Sequence, residues 1–149
     1  MNVENILELI YTKFDKFNSE EYLKQRPITF CNQFITQIAE GFGYMKFKGL
    51  LANEMVDLMI TSDEWCSCGN GVEAKKKADL GYLVLAGLKG NEHGHVAVVL
   101  PGEAVVLSGK WGIGCPQVAN IGRTNFLGQG ANYAFDAKPG YWYLNAINI

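Results

Sequence analysis

No run of about 18 apolar residues occurs anywhere in the 149-residue sequence, so nothing in it reads as a membrane-spanning helix. Basic residues are not in excess. Thirteen Lys and Arg stand against 15 Asp and Glu, a net charge of −2, which offers no footprint for nucleic acid or anionic lipid. The four cysteines (Cys31, Cys66, Cys68 and Cys115) are too few and too uneven for a disulfide scaffold. There are only two histidines, His93 and His95. The opening MNVENILELIYTKFDKFNSEE lacks an uninterrupted apolar core and a small-residue cleavage site, so synthesis in the cytoplasm without a signal peptide is expected. Repeats, low-complexity tracts and linkers are also missing, and the length suits one domain over residues 1–149.

What is present begins with helical periodicity. Val3, Ile6, Leu7, Ile10, Phe14 and Phe17 mark a first amphipathic helix. Pro27 disfavours helix through Gln25-Arg26, leaving Ile28-Thr29-Phe30 extended. A second helix is expected from Cys31 to Glu40, ended by Gly41, and a third from Asn53 as N-cap. TSDEWCSCGNG reads as a loop, with a short helix following over Val72–Ala78. From Leu80 the texture turns to strands in LGYLVLAGL, HVAVVL and AVVLS, with further strands expected at Tyr133–Phe135 and Tyr141–Ala146. Helices first and strands later predict an α+β domain with an antiparallel sheet.

Two residues stand where chemistry could be done. Cys31 falls at a helix start, where unpaired N–H groups and the positive end of the dipole favour a thiolate. His95 opens a strand just after Gly94, from which an imidazole can face a helix terminus packed on the sheet. Cysteine and histidine so arranged permit nucleophilic catalysis, the imidazole taking the thiol proton. Taken alone, a buried cysteine and a strand histidine are more often structural.

The local sequences go further. FCNQFITQIAEGFG resembles the nucleophile helix of NlpC-type and CHAP-type papain-like cysteine peptidases, and GHVAVVLPG resembles their histidine strand. GLLANEMVDLM and EAKKKADLGYLVLAGLKG, between them, are similar to the first family of type VI secretion amidase effectors. The resemblance runs from about Cys31 to Gly102. It implies N-terminal helices on an antiparallel sheet, Cys31 as nucleophile and His95 as general base. It also implies a peptidoglycan amidase (a DL-endopeptidase) cutting the γ-D-glutamyl-diaminopimelate bond of the stem peptide through a thioester, without cofactor or metal. Such an enzyme would be secreted into a target-cell periplasm and met there by a cognate immunity protein. The family often carries Cys-Ser-Gly at the nucleophile where this chain has Cys31-Asn32-Gln33, which bears on specificity. Alternatives are an autolytic or phage-type wall hydrolase, a cysteine protease or deamidase of the same fold, and an interaction domain with a structural Cys/His pair.

An imidazole also needs its far nitrogen held. Gln117 and Asn120 are the candidates, with Cys115 as a thiol that could approach the site, and each is more often ordinary structure. His93 is expected to be solvated. Cys66-Ser67-Cys68 with the two histidines is a poor zinc set, one residue separating the first two ligands and no second pair following. Two loop thiols or a loop disulfide is the plainer reading. Lys75-Lys76-Lys77 reads as the solvated face of a short helix, and Trp111, Tyr141, Trp142 and Tyr143 as core closure or groove wall.

Overall fold

The apolar stripe at the N-terminus folds as its spacing requires. In the computed structural model, which describes residues 1–102, 106–108, 111 and 114–145, helix α1 covers Val3–Phe17. Asn2 caps it by accepting the Asn5 N–H at 2.8 Å, and Ile6, Ile10, Phe14 and Phe17 are its buried face. A single turn, α2 (Glu20–Leu23), follows with no buried residue. Helix α3 (Cys31–Gly41) buries Phe34, Ile35, Ile38 and Ala39, the stripe expected of it, and Cys31 with them.

Helix α4 covers Ala52–Thr61. Its N-cap is Leu51 rather than Asn53: the Glu54 carboxylate accepts the Leu51 N–H at 2.9 Å, satisfying that donor from inside the helix. Asn53 is thereby released for a long-range contact described below. The stretch read as a loop contains a short strand, β1 (Trp65–Ser67), before α5 (Gly71–Asp79). The strands that follow are β2 (Val84–Leu88), β3 (His95–Val99), β4 (Val106–Ser108), β5 (Gly114–Asn120), β6 (Phe126–Gly130) and β7 (Gly140–Leu144). Residues 104–105 of the expected third strand, and residue 146 at the end of the last, lie outside the described residues. Tyr133–Phe135 is not a strand. The chain turns there as a 3₁₀ helix over Ala131–Tyr133.

The described strands run in the order β1-β7-β2-β3-β5-β4, with β6 also paired to β5, and every pairing is antiparallel. The fold is α+β, as expected, and compatible with a papain-like architecture.

Alternation along the strands divides the core. Val96, Val98, Leu83, Leu85 and Trp65 join the buried faces of α1, α3 and α4. Ala97, Val99, Val84, Ala86 and Tyr141 point the other way, toward Ala74 and Ala78 of α5 and toward Phe135. The early helices thus cover one face of the sheet, and α5 with the 131–135 turn covers the other. Burial of this kind contributes about 25 cal/mol for each Å² of apolar surface removed from water.

Lys75 departs from the solvated reading. It is buried, and its ammonium donates to Asp79 Oδ1 at 2.6 Å and to the Gly102 carbonyl at 2.8 Å, tying α5 to the chain beyond β3. Lys76 pairs with Glu73, while Lys77 lies over the rings of Tyr82 and Tyr143 at 5.5 and 4.6 Å. Tyr141 is buried in the second cluster, and Trp111 and Tyr143 pack against it half-buried. Trp142 packs on the first.

Candidate active site

The start of α3 meets the start of β3. Phe30 is the N-cap of α3 and provides no side-chain cap, so the first N–H groups of the helix remain available around Cys31. The Cys31 sulfur is reached by the backbone N–H groups of Val96, Asn32 and Cys31 itself. Val96 is the residue after His95. The thiol therefore sits against the first peptide of the histidine strand, and α3 packs on β3 through the shared cluster of Ile35, Ile38, Val96 and Val98. Asn32 fixes the helix start from the other side, its amide donating to the Leu50 carbonyl at 3.2 Å.

Sequence logic favoured a thiolate here; burial opposes it. Desolvation pushes the Cys31 thiol above its ordinary value, and the N–H groups of Val96, Asn32 and Cys31 pull it back by a lesser amount. The dipole argument fails because the helix start is buried in the core, where a charge loses its water. His95 moves the other way. Burial lowers its pKa, and the bond to Asn120 only partly offsets this. At rest the thiol and the imidazole are thus both neutral.

Asn120, at the end of β5, holds the imidazole. Its Oδ1 lies 2.6 Å from His95 Nε2, leaving Nδ1 as the other ring nitrogen. Its amide nitrogen donates to the Thr124 carbonyl at 2.8 Å, which orients the oxygen toward the ring. The turn after β5 is fixed again by Asn125, which accepts the Gly122 N–H at 2.9 Å and donates to Asn18 at the end of α1 at 3.0 Å. Gly122 lies flat against the imidazole: a Cβ placed on it would come within 3.0 Å of Cε1. Phe135 packs on the same ring, centroids 5.0 Å apart.

The other proposed residues lie elsewhere. Gln117 is three residues back along β5, on the wall of a surface groove with Leu7, Tyr11, Leu100, Pro101, Leu127 and Gly128. Cys115 is buried in the second cluster, whereas Cys31 belongs to the first. His93 is exposed in the β2–β3 turn. The four cysteines are outside any disulfide; Cys66 bonds the Tyr143 hydroxyl, and burial pushes the Cys68 thiol up to about 11. Among the described residues no group of three His, Cys, Asp or Glu is placed to hold a metal ion, and no helix is long and apolar enough to cross a membrane.

Sequence reading named Asn120 as one of two options and missed Gly122 and Phe135 altogether. Gly122 falls inside the segment searched for a third residue, but a lone glycine after an isoleucine carries no chemical signal. Phe135 reaches the ring only because the 131–135 turn folds over the second face of the sheet.

No family model matches this chain. Over 72 residues it is 44% identical to the peptidoglycan amidase Tse1 of Pseudomonas aeruginosa, a stretch covering 48% of this chain and 45% of that protein. The chain thus spans about half the length of the curated relative it matches and is its partial homologue.

Proposed function

We propose that this protein is a cysteine amidase of bacterial cell-wall peptide. The observation that carries the reading is the junction of α3 and β3, where the Cys31 thiol lies against the Val96 N–H and the adjoining His95 is held through Nε2 by Asn120. The partial homology to a peptidoglycan amidase supports the substrate.

The geometry suits general-base activation of a neutral thiol. His95 takes the thiol proton as the sulfur bonds to the amide carbonyl carbon. Collapse of the tetrahedral intermediate breaks the C–N bond, and the imidazolium returns the proton to the departing amine. Water, deprotonated by the same imidazole, then attacks the thioester and restores the thiol. Backbone N–H groups at the start of α3, that of Cys31 among them, are donors for the oxyanion, and such donors contribute about 3–4 kcal/mol each where measured. The bond cut is the γ-D-glutamyl-diaminopimelate link of the stem. The protein acts as an antibacterial effector in a target-cell periplasm, opposed by an immunity protein, as the motifs around Cys31 and His95 imply.

Digestion of purified sacculi followed by mass analysis of the muropeptides tests enzyme, substrate and bond together. New termini at γ-D-glutamate and diaminopimelate are expected from the wild type, and none from Cys31→Ala with its melting temperature retained. Muropeptides left intact by the wild type would overturn the assignment.

A further inference from the structure

Helix α1 carries its charges on two separate sides. At about 100° per residue, the acids Glu4, Glu8 and Asp15 fall together on one flank of the buried face, and the lysines Lys13 and Lys16 on the other. Lys16 is engaged there, donating to Gln37 Oε1 at 2.9 Å. The three acids are exposed and take part in none of the ion pairs among the described residues, which join Lys46 with Glu64, Lys75 with Asp79, Lys76 with Glu73 and Lys89 with Asp57. Between the buried face and these acids lie Leu7 and Tyr11, one helical turn apart, and both line an open groove of about 510 Å³. Leu100, Pro101 and Leu127 complete its apolar lining, and Tyr11 and Leu127 are 43% and 39% exposed. Glu8 and Asp15 stand three residues before and four after Tyr11, and Glu4 three before Leu7. Residues so spaced are neighbours on a helix surface, with Cβ atoms about 5–6 Å apart, so the acids border the groove.

We propose that this groove docks a partner protein through a segment whose apolar side chains are flanked by lysine or arginine. The apolar residues cover Tyr11 and Leu127, and the cations meet Glu4, Glu8 and Asp15 along the border. Exposed apolar surface edged by charge of one sign is the chemistry of such an interface. A second copy of this chain fits it poorly, because a two-fold contact brings the acidic border up to its own image. A small molecule fits it poorly as well, since its sites enclose about 70–90% of the ligand and this groove is open. Docking here is independent of the amidase reading. Leu100 follows β3 at the end away from His95, five residues or about 16 Å of extended chain from it, so an occupant leaves the Cys31 thiol open.

The probe is a library of random peptides displayed on phage and selected on the immobilised full chain. Enriched peptides are expected to combine apolar residues with Lys or Arg. Synthesised and titrated by fluorescence anisotropy, they should bind Tyr11→Ala about tenfold more weakly than the wild type, a loss ordinary for an aromatic anchor. The triple variant Glu4→Gln, Glu8→Gln, Asp15→Gln should show a similar loss at low salt that shrinks at about 0.5 M NaCl. Glu20→Gln with Glu21→Gln, an exposed acidic pair on α2, should bind as the wild type does, and melting temperatures check that every variant folds. Amide shifts on peptide binding should fall at Leu7, Tyr11 and Leu127. No enrichment above an unrelated protein, enriched peptides without basic residues, or binding unchanged in Tyr11→Ala and in the triple variant would overturn the proposal. Shifts at Cys31 and His95 instead would place the peptides in the amidase site and overturn it too. A dimer seen by sedimentation and dissociated by Tyr11→Ala would overturn it in favour of a second copy.

Discussion

Among the described residues His95 is held by one side-chain hydrogen bond, and that bond divides two residues which the sequence could not separate. Asn120 and Gln117 are both amides on β5, but only Asn120 reaches the ring, at 2.6 Å. Asn120→Ala removes the acceptor and frees the imidazole to rotate, and misplacement of a catalytic group by about 1 Å costs on the order of a hundredfold. A fall of about ten- to a hundredfold in kcat is expected for Asn120→Ala in a stem-peptide assay, against less than twofold for Gln117→Ala. Equal losses in both would place the orienting group elsewhere. The placement of Cys31 at a helix start and of His95 at a strand start was legible because each heads a periodic element. The choice of Asn120 was not, since it depends on the pairing of β5 with β3, in which Ala119 lies opposite Val98 and Asn120 so falls on the face of Ala97 and His95.

Helix α4 governs the approach to the histidine strand. Asn53 on its first turn donates to the Gly90 carbonyl at 3.0 Å and accepts the Gly90 N–H at 3.1 Å, and one turn later Asp57 meets Lys89 at 2.6 Å. Gly94 lies so near that a Cβ there would sit 2.3 Å from Asn53 Oδ1. The hairpin turn before His95 is thus pinned to a helix rather than left to solvent. Asn53→Ala removes both bonds, at roughly 1 kcal/mol each, and should lower the urea midpoint; Lys89→Ala, at an exposed pair, should shift it far less. A midpoint unchanged in Asn53→Ala would deny the clamp. Elements with strong periodicity, α1 and α3 above all, were legible in the sequence nearly to the residue. Strands β5 and β6 were not. Their Gly, Asn and Gln content reads as loop, and only pairing with β3 and β4 makes them strands.

Across the molecule, the two site residues set opposite limits on stability. Burial holds His95 below its ordinary 6.5 and Cys31 above its ordinary 9.0. As the pH falls through 6.5, the unfolded chain takes up the histidine proton before the folded one does, and folding weakens. As it rises through 9.0, the unfolded chain loses the thiol proton first, and folding weakens again. Denaturant unfolding should show greater stability at pH 7.5 than at pH 5.5, and His95→Gln should reduce that difference. An identical difference in the variant would mean that the imidazole is not desolvated.

Strand β7, the last of the described strands, lies between β1 and β2, and β7 is the sole described neighbour of β1 in the sheet. During synthesis the sheet cannot close until Leu144 has left the ribosome, because the place between residues 65–67 and 84–87 is kept for residues 140–144. Asn120, Gly122 and Phe135, which complete the surroundings of His95, also emerge late. Most of residues 1–144 are therefore made before the surroundings of His95 are complete.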